Sequence, residues 1–229
     1  MEEFENQFSE IAALLGDKSR AVMLWCLLDG RAYTASELAI CANISAQSAS
    51  NHLAKMINAN MLGVEKQGRH RYYRYASAEV AQVIESMASL VTLSNEHSRI
   101  RKPAQNDFTY ARTCYDHLAG KFGVDLTTSL VQRNMLRIEE KRYAVTPEGV
   151  VWFQSIGINP EESKSQKRSF AHQCLDWSER KHHLAGALGT SLLNGLMKND
   201  WIRRKQFSRE IIITPTGKLQ LSNSLGLEF

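Results

Sequence analysis

The chain has 229 residues, of which 43% are hydrophobic, and a formal net charge of +4 at pH 7. This content can bury one large core or two small ones, and no apolar run approaches the roughly 18 residues that span a bilayer. Four widely spaced cysteines and an acidic N-terminal segment argue against a disulfide framework and a leader peptide. We therefore expect a cytoplasmic protein that does not contact membranes.

The first hundred residues predict a series of short helices with identifiable caps. Apolar side chains recur at helical spacing over 4–15, and Asp17 is placed to cap the following helix. Thr34 and Glu37 have the spacing of a capping box at the start of a third helix. A fourth helix, over 45–60, begins at a serine. Two short helices joined by a tight turn are typical of a helix-turn-helix.

The segment over 46–57 has the two faces expected of a recognition helix. Leu53, Met56 and Ile57 form an apolar stripe, and the opposite face is polar. Asn and Gln side chains can bond bidentately to adenine in the major groove, whereas Ser and Lys can hold phosphates. A solvated polar face is the alternative for an isolated helix. The residues predicted to contact DNA here are Ser45, Gln47, Ser48, Ser50, Asn51, His52 and Lys55.

A hairpin with basic and aromatic side chains is predicted directly after this helix. Strands over 63–67 and 71–76 flank a turn at 68–70. Over 45–76 the charged side chains are basic apart from Glu65, which indicates a surface for a polyanion. A wing of this kind neutralises phosphates and enters the minor groove. Its predicted DNA contacts are Lys66, Arg69, His70 and Arg71.

These elements together resemble the ArsR/SmtB family of winged-helix repressors. The resemblance covers about residues 5–98 and is carried by 37–75, "ELAICANISAQSASNHLAKMINANMLGVEKQGRHRYYRY". It implies a dimer that binds a pseudo-palindromic operator in double-stranded DNA and represses until a small-molecule or metal inducer binds. The helix predicted over 77–98 carries a wide apolar stripe, which the resemblance assigns to the dimer interface. Packing within one subunit is the alternative.

The chain departs from the metal-binding pattern of this family. Many relatives carry Cys-x-Cys before the recognition helix, but here Cys41 is preceded by Ala39 at the other thiolate position. The helix over 77–98 lacks paired Asp and His residues. A site needs three or four converging ligands, so no metal is expected at either place. Cys26 is interpreted as a small core residue.

An internal repeat fills the second half of the chain. Residues 117–137 align without gaps to 183–203, and each copy continues into a strand pair and a Thr-Pro that opens a helix. We interpret 159–173 as a polar linker. Four cations lie where a second wing would be, and we interpret them as solvated, with DNA contact as the alternative. These cations are Arg203, Arg204, Lys205 and Arg209.

The predicted fold class is mainly α with small β-hairpins (α+β), a winged helix-turn-helix followed by two tandem winged-helix-like repeats. The two repeats are small for independent cores, so we expect them to pack on each other with pseudo-two-fold symmetry. The predicted domains are 1–98 and 99–229, with repeats at about 108–158 and 174–227.

Thiol, imidazole and carboxylate groups are concentrated in matching parts of the two copies. The spacing of Cys114 and His117 places both on one face of a predicted helix, and facing repeats would bring soft ligands together. The alternatives are buried structural thiols with aspartate helix caps, or an apolar effector pocket lined by Tyr115, Trp177 and Trp201. His172 and His182 are additional potential ligands. The candidate effector, thiol or metal residues are Cys114, Asp116, His117, Cys174, Asp176 and His183.

The pattern as a whole favours a DNA-binding regulator. The alternatives are a thiol- or metal-responsive sensor that uses Cys114 and Cys174, and a protein-interaction module without specific DNA. No phosphate-cradling glycine loop or recognised catalytic motif accompanies the cysteines, so no enzyme is expected. We expect no required cofactor, with zinc or a thiol redox change as the candidate effector.

Overall fold

The structure is a computed structural model that describes residues 1–96, 107–205 and 208–229, with the side chains of 89, 91–96 and 107 left out. It is built mainly of helices with small antiparallel sheets, which confirms the predicted fold class. The chain forms two compact units, Met1–Ala88 and Ser89–Phe229. The boundary predicted between residues 98 and 99 lies outside the described residues.

Three helices of the first unit begin at the predicted caps. The Asp17 carboxylate accepts from the Arg20 backbone N–H at 2.9 Å, and Ser45 Oγ accepts from the Ser48 N–H at 3.1 Å. Thr34 and Glu37 form both bonds of the predicted capping box. Each cap satisfies an amide that has no partner within its helix. The helices are α1 (Glu2–Leu15), α2 (Lys18–Leu27), α3 (Ala35–Ala42), α4 (Ala46–Asn58) and α5 (Ala78–Glu96).

A three-stranded antiparallel sheet completes the first unit and contains the predicted wing. Its strands, β1 (Tyr33–Thr34), β2 (Leu62–Gln67) and β3 (His70–Tyr75), are ordered β1-β3-β2. Gln67 pairs with His70 across a turn in which Gly68 adopts φ +60°, a conformation that glycine takes without strain. The Tyr75 hydroxyl donates to the Leu24 carbonyl at 2.6 Å. This bond fixes the base of the wing to α2.

Each repeat of the second unit runs short helix, opening hairpin, helix, closing hairpin, closing helix. The first copy contains α6 (Asp107–Tyr110), β4 (Arg112–Cys114), β5 (His117–Ala119), α7 (Gly120–Gln132), β6 (Leu136–Glu139), β7 (Arg142–Val145) and α8 (Pro147–Ser155). The second contains α9 (Pro160–Lys164), β8 (His172–Leu175), β9 (His182–Ala185), α10 (Gly186–Lys198), β10 (Ile202–Arg204), β11 (Ile211–Ile213) and α11 (Pro215–Leu225). The helix predicted for Cys114 and His117 is wrong, because these residues lie on the hairpin β4–β5.

Backbone hydrogen bonds between the copies are arranged reciprocally. The Tyr143 N–H donates to the Ala171 carbonyl at 3.2 Å, and the Ile211 N–H donates to the Ala111 carbonyl at 2.9 Å. In the same way β8 follows β7 in a four-stranded sheet, while Arg112 of β4 bridges to Glu210. The opening hairpin of each copy therefore extends the closing hairpin of the other.

A single hydrophobic core unites the two copies. Helix α7 packs on β9 of the second copy, and α10 packs on β5 of the first. Buried leucines from both copies, such as Leu126 and Leu192, belong to one cluster. The Leu184 N–H donates to Thr127 Oγ1 at 2.9 Å, which satisfies a buried amide across the junction. Each copy thus supplies part of the core of the other.

Two further predictions for the second unit are wrong. The segment 159–173 is not only a polar linker, because α9 forms within it and buries Pro160 and Ser163. Arg209 is not solvated: it is 4% exposed, and its Nε and Nη2 donate to the Thr113 carbonyl at 3.0 and 2.7 Å. Arg209 therefore connects the closing hairpin of the second copy to β4 of the first. Arg203 is exposed, as predicted, and pairs with Asp200.

Candidate nucleic-acid interface and candidate metal centre

Helix α4 presents a polar face to solvent. Ala49, Leu53 and Met56 are buried against the rest of the first unit, while predicted base contacts such as Gln47 and Asn51 are exposed. This separation follows from the 3.6-residue period of the helix. The exposed predicted contacts of this helix are Ser45, Gln47, Ser50, Asn51 and Lys55, and Ser48 is half-buried.

His52 differs from the other residues predicted on this face. Its Nδ1 lies 3.2 Å from Nη1 of Arg20 and 4.0 Å from Oδ1 of Asp17, so the ring faces α2. It is half-buried. Because the imidazole is held by these groups, His52 is better suited to orient α4 than to read a base. The sequence pattern showed only that His52 lies on the polar side.

The wing carries exposed cations on both strands and at its tip. Lys66 pairs with Arg71 in the strand register, and Arg69 lies in the turn between the strands. His70 is also exposed. Arg74, further from the tip, forms an ion pair with Glu65 at 3.5 Å. The uncompensated positive charge is therefore concentrated at the tip, where the predicted phosphate contacts lie.

The cysteines of the first unit do not converge with other ligand types. Cys41 is exposed and Cys26 is half-buried. Burial, assisted by the neighbouring Cys41, raises the pKa of Cys26 to about 12. A thiol with so high a pKa is a poor nucleophile at neutral pH. Among the described residues, the His, Cys, Asp and Glu groups that could hold an ion lie in the second unit, at one cluster.

This cluster consists of Cys114, His117, Cys174 and His183, all of them buried. In the strand registers Cys114 lies opposite His117, and Cys174 lies opposite His183. Each opening hairpin thus provides one thiol and one imidazole. The four ligand atoms lie within 4.8 Å of one another. The two Sγ atoms are 3.9 Å apart, and the two Nε2 atoms are 3.1 Å apart.

The different spacing of the two Cys-His pairs is explained by the turns between the strands. The first hairpin turns through 115–116, and the second turns through 176–181 with longer strands. Extra residues beyond the second cysteine therefore lengthen the loop without moving its partner from the opposite strand. The Cys-to-His spacing therefore differs between the copies, while each cysteine still faces its histidine across the hairpin.

A carboxylate lies beside the second nitrogen of each imidazole. Oδ1 of Asp116 is 3.3 Å from Nδ1 of His117, and Oδ2 of Asp176 is 3.5 Å from Nδ1 of His183. Each of these aspartates lies two residues after a cysteine of the cluster, in a Cys-x-Asp that occurs once in each copy. The predicted helix cap at Asp176 is wrong, because its carboxylate caps a turn and no helix follows. Asp116 instead lies within hydrogen-bond distance of His117, whereas Nδ1 of His183 forms no hydrogen bond among the described residues and feels the Asp176 carboxylate through its charge.

Two arginines that the sequence did not single out hold these carboxylates. Arg112 is fully buried and donates two bonds of 2.9 Å to the carboxylate of Asp176. Its guanidinium lies 4.4 Å from the ring centroid of Trp177. Arg168 donates to Asp116 at 2.5 Å. No local pattern marks either arginine, because each partner lies more than fifty residues away in the chain.

The charges around the cluster shift the pKa values of its two imidazoles in opposite directions. Burial disfavours a charge on His117, but the nearby Cys114 and Asp116 raise its pKa to about 9. Burial and the neighbouring His117 hold the pKa of His183 well below its usual value. Against the effect of burial, His117 and Arg168 lower the pKa of Asp116. A proton on one imidazole therefore excludes a proton on the facing nitrogen of the other.

The remaining predicted ligands, His172 and His182, are not among the four clustered donors. His182 is exposed, and Nδ1 of half-buried His172 lies 3.2 Å from Ser169 Oγ. Trp201 packs against the hydrophobic core, whereas Trp177 stacks on Arg112. These contacts give the two tryptophans separate structural roles. Among the described helices, none is both long and apolar enough to cross a membrane.

The chain is 44% identical over 220 residues to the uncharacterized HTH-type transcriptional regulator YdfF of Bacillus subtilis (strain 168). The alignment spans 96% of this chain and 97% of the relative. The chain therefore belongs to the HTH-type transcriptional regulators. This finding confirms the predicted recognition of a helix-turn-helix regulator and supports DNA binding as its role. No family model matches the chain.

Solved structures resemble the N-terminal part of the chain. One is the homodimeric winged helix-turn-helix DNA-binding domain of Mb0332 from Mycobacterium bovis, described as a possible ArsR-family regulator. It is 18% identical, covers 43% of this chain and 89% of its own, and has a TM-score of 0.38. HlyU from Vibrio cholerae is 23% identical, covers 40% of this chain and 99% of its own, and has a TM-score of 0.36.

Proposed function

We propose that this regulator is a cytoplasmic repressor that binds a pseudo-palindromic operator as a homodimer and releases it when an effector binds. The observation that carries the proposal is the exposed polar face of α4 followed directly by a wing with cations at its tip. Helix α4 enters the major groove, and the wing contacts the backbone and the minor groove. Gln47 and Asn51 are suited to read bases, because amide side chains bond bidentately to adenine.

The apolar surfaces of the first unit support the dimer. Helix α1 has no buried residue, and its Phe4 and Phe8 are 73% and 67% exposed. On the part of α5 that belongs to this unit, Val83 and Met87 are 60% and 38% exposed. The predicted stripe beyond Leu90 lies outside the described side chains. Large apolar groups concentrated on two helices are typical of an interface, and a two-fold dimer would present two α4 helices to successive major grooves.

Removal of the wing cations tests the proposal. We expect Arg69→Ala combined with Arg71→Ala to weaken binding to operator and unrelated DNA alike, because phosphate contacts carry no sequence information. The slope of log K against log salt should fall by up to about 2, since each phosphate contact contributes about 0.9. Fluorescence anisotropy across a salt series measures both quantities.

The matched control is Arg137→Ala combined with Arg142→Ala, which removes two exposed arginines from the β6–β7 hairpin of the second unit. It should leave the affinity and the salt slope close to those of the unaltered protein. Unchanged binding in the wing variant, or an equal loss in the control, would contradict the wing assignment.

A base-reading side chain should behave differently from a phosphate contact. Asn51→Ala is expected to cost about 1–3 kcal/mol on the operator and to relax the preference at one base pair. Lys55→Ala should weaken binding to all sequences to a similar degree. Selection of bound sequences from a random pool by each variant distinguishes the two results. If Asn51→Ala loses affinity without any change of sequence preference, Asn51 does not read a base.

A second candidate function is sensing through Cys114 and Cys174, which the convergence of their thiols with two imidazoles favours. Operator affinity would then change with zinc, arsenite, peroxide or dithiothreitol. The response should disappear in Cys114→Ser and Cys174→Ser and persist in Cys26→Ser. If none of these agents alters operator affinity of the unaltered protein, the effector acts elsewhere.

A further inference from the structure

We propose that Cys114, His117, Cys174 and His183 bind one resident Zn²⁺ ion, which joins the two repeats of the second unit as a structural clasp. The proposal goes beyond the assignment as a DNA-binding regulator and does not depend on it. It concerns an ion that stays in the folded protein, rather than an effector that comes and goes.

Two separations within the donor set match the edges of a zinc tetrahedron. Zinc bonds of about 2.3 Å to sulfur and about 2.0–2.1 Å to nitrogen imply S–S and N–N edges of about 3.8 and 3.3 Å. The corresponding separations in the structure are 3.9 Å between the Sγ atoms and 3.1 Å between the Nε2 atoms. Since no donor is more than 4.8 Å from another, modest rotations of the side chains would complete the coordination.

The surroundings of the histidines favour coordination through Nε2. The carboxylates of Asp116 and Asp176 lie 3.3 and 3.5 Å from the Nδ1 atoms and are themselves held by arginines. A proton at Nδ1 leaves the Nε2 lone pair directed toward the centre of the cluster. Carboxylates beside the outer nitrogen orient metal-binding histidines in the same way.

The types of the four donors favour Zn²⁺, and their burial favours a structural role for the ion. Two thiolates and two imidazoles in a tetrahedron suit Zn²⁺, and four protein ligands leave no open position for a substrate. Binding requires both thiols and both Nε2 atoms to be free of protons, and the charges of the two thiolates then balance the dication. A neutral assembly suits a site in which all four residues are buried, because an unbalanced charge there would be costly.

The placement of the ligands explains why the ion would stabilise the fold. Cys114 and His117 belong to the opening hairpin of the first copy, and Cys174 and His183 belong to that of the second. Helices α7 and α10 each pack on the opening hairpin of the other copy. One ion therefore links the two opening hairpins at the point where each copy packs on the other. Neither copy supplies all four ligands alone.

Metal analysis of the full-length protein, purified without a histidine tag, tests the proposal. Elemental analysis and native mass spectrometry should find one zinc ion per chain, retained after dialysis against a weak chelator. Exchange for Co²⁺ should give the sulfur-to-cobalt charge-transfer bands and the intense visible bands of a tetrahedral thiolate site. The native mass requires no variant, so it remains informative even if altered proteins fail to fold.

Matched variants assign the ligands. Cys114→Ser and His183→Ala should lose the zinc and the cobalt spectrum, whereas Cys26→Ser and His182→Ala should retain both. His182 is adjacent to His183 but exposed, so it controls for a change in this strand. Native protein without metal that gives no cobalt spectrum, or a Cys114–Cys174 disulfide found by peptide mapping, would overturn the proposal. DNA affinity of the wing variants is unaffected by either result, so the two proposals fail separately.

Discussion

Replacement of Asp176 by asparagine is expected to lower the free energy of unfolding of the second unit by about 3–5 kcal/mol, because it leaves a buried guanidinium without its counter-ion. The Arg112 and Asp176 side chains are both fully buried and joined by two hydrogen bonds of 2.9 Å. The carboxylate also accepts from the Gly120 N–H at 2.7 Å. An amide keeps the shape of the side chain but loses the charge and half of its accepting capacity.

Denaturant unfolding followed by circular dichroism measures this loss. The control is Asp200→Asn, which removes an exposed carboxylate that also binds an arginine, Arg203, through two hydrogen bonds. Because water screens an exposed pair, the unfolding midpoint of this control should hardly change. Equal midpoints for the two variants would show that the Arg112 pair contributes no more than a surface pair.

The same ion pair gives a defined dependence on pH. Against the effect of burial, Arg112 lowers the pKa of Asp176 below its usual value. A depressed carboxyl pKa stabilises the folded state above the unfolded-state pKa of about 3.9, and this contribution is lost as pH falls through the lower folded-state value. The protein should therefore lose stability in strong acid faster than Asp176→Asn does. Carboxylates titrate roughly between pH 5 and pH 2. If the free energy of unfolding falls by the same amount in both proteins over this range, the assignment is contradicted.

Replacement of Gly149 or Gly217 by alanine is expected to destabilise the second unit by more than about 3 kcal/mol, because the added methyl group collides with backbone. A Cβ at Gly149 would lie 2.0 Å from the Met135 carbonyl oxygen, and one at Gly217 would lie 1.9 Å from that of Trp201. Neither oxygen can rotate away as a flexible side chain would. The two glycines occupy matching positions, so the two losses should be similar.

The tight approach is produced by the Thr-Pro that begins each closing helix. Thr146 Oγ1 donates to the Asn134 carbonyl at 2.5 Å, and Thr214 Oγ1 donates to the Asp200 carbonyl at 2.7 Å. The same hydroxyls accept from the N–H groups of the two glycines. Each threonine therefore draws the first turn of its helix against the preceding strand connection, where only hydrogen fits on the glycine Cα.

The control for the glycine variants is Gly16→Ala. Its added Cβ would lie no closer than 3.7 Å to a neighbouring atom, and its φ of −72° suits alanine. Thermal unfolding of the three variants should show large decreases for Gly149→Ala and Gly217→Ala and almost none for Gly16→Ala. A small change at Gly149 or Gly217 would mean that the closing helix shifts at little cost.

The elements of the first unit were predictable because their signals are local. Asp17, Thr34 and Ser45 cap the helices that their spacing predicts, since each hydrogen bond spans only three residues. The wing followed from alternation and a glycine turn. His52 was placed on the correct side of α4, but its contact with Arg20 was not foreseen, because that contact joins residues 32 positions apart.

The second unit was predictable as a repeat but not as an interleaved fold. Matching glycines and Thr-Pro pairs revealed two copies, because both depend on short-range backbone geometry. The spacing of Cys114 and His117 fits a helix face and a tight hairpin equally well, and the sequence was interpreted as the helix. Pairing with the other copy favours the hairpin over the helix, because the strands of each copy extend the sheet of the other.

The amino-acid sequence by itself therefore determined the caps, the recognition helix, the wing and the duplication, all of which rest on interactions between near neighbours. The tertiary structure alone decided that two thiols and two imidazoles meet, that Arg112 neutralises Asp176 and that Arg209 is buried. These contacts join residues that are 60 or more positions apart. Their formation depends on how the two copies pack, and that packing is set by the shared core rather than by any local pattern.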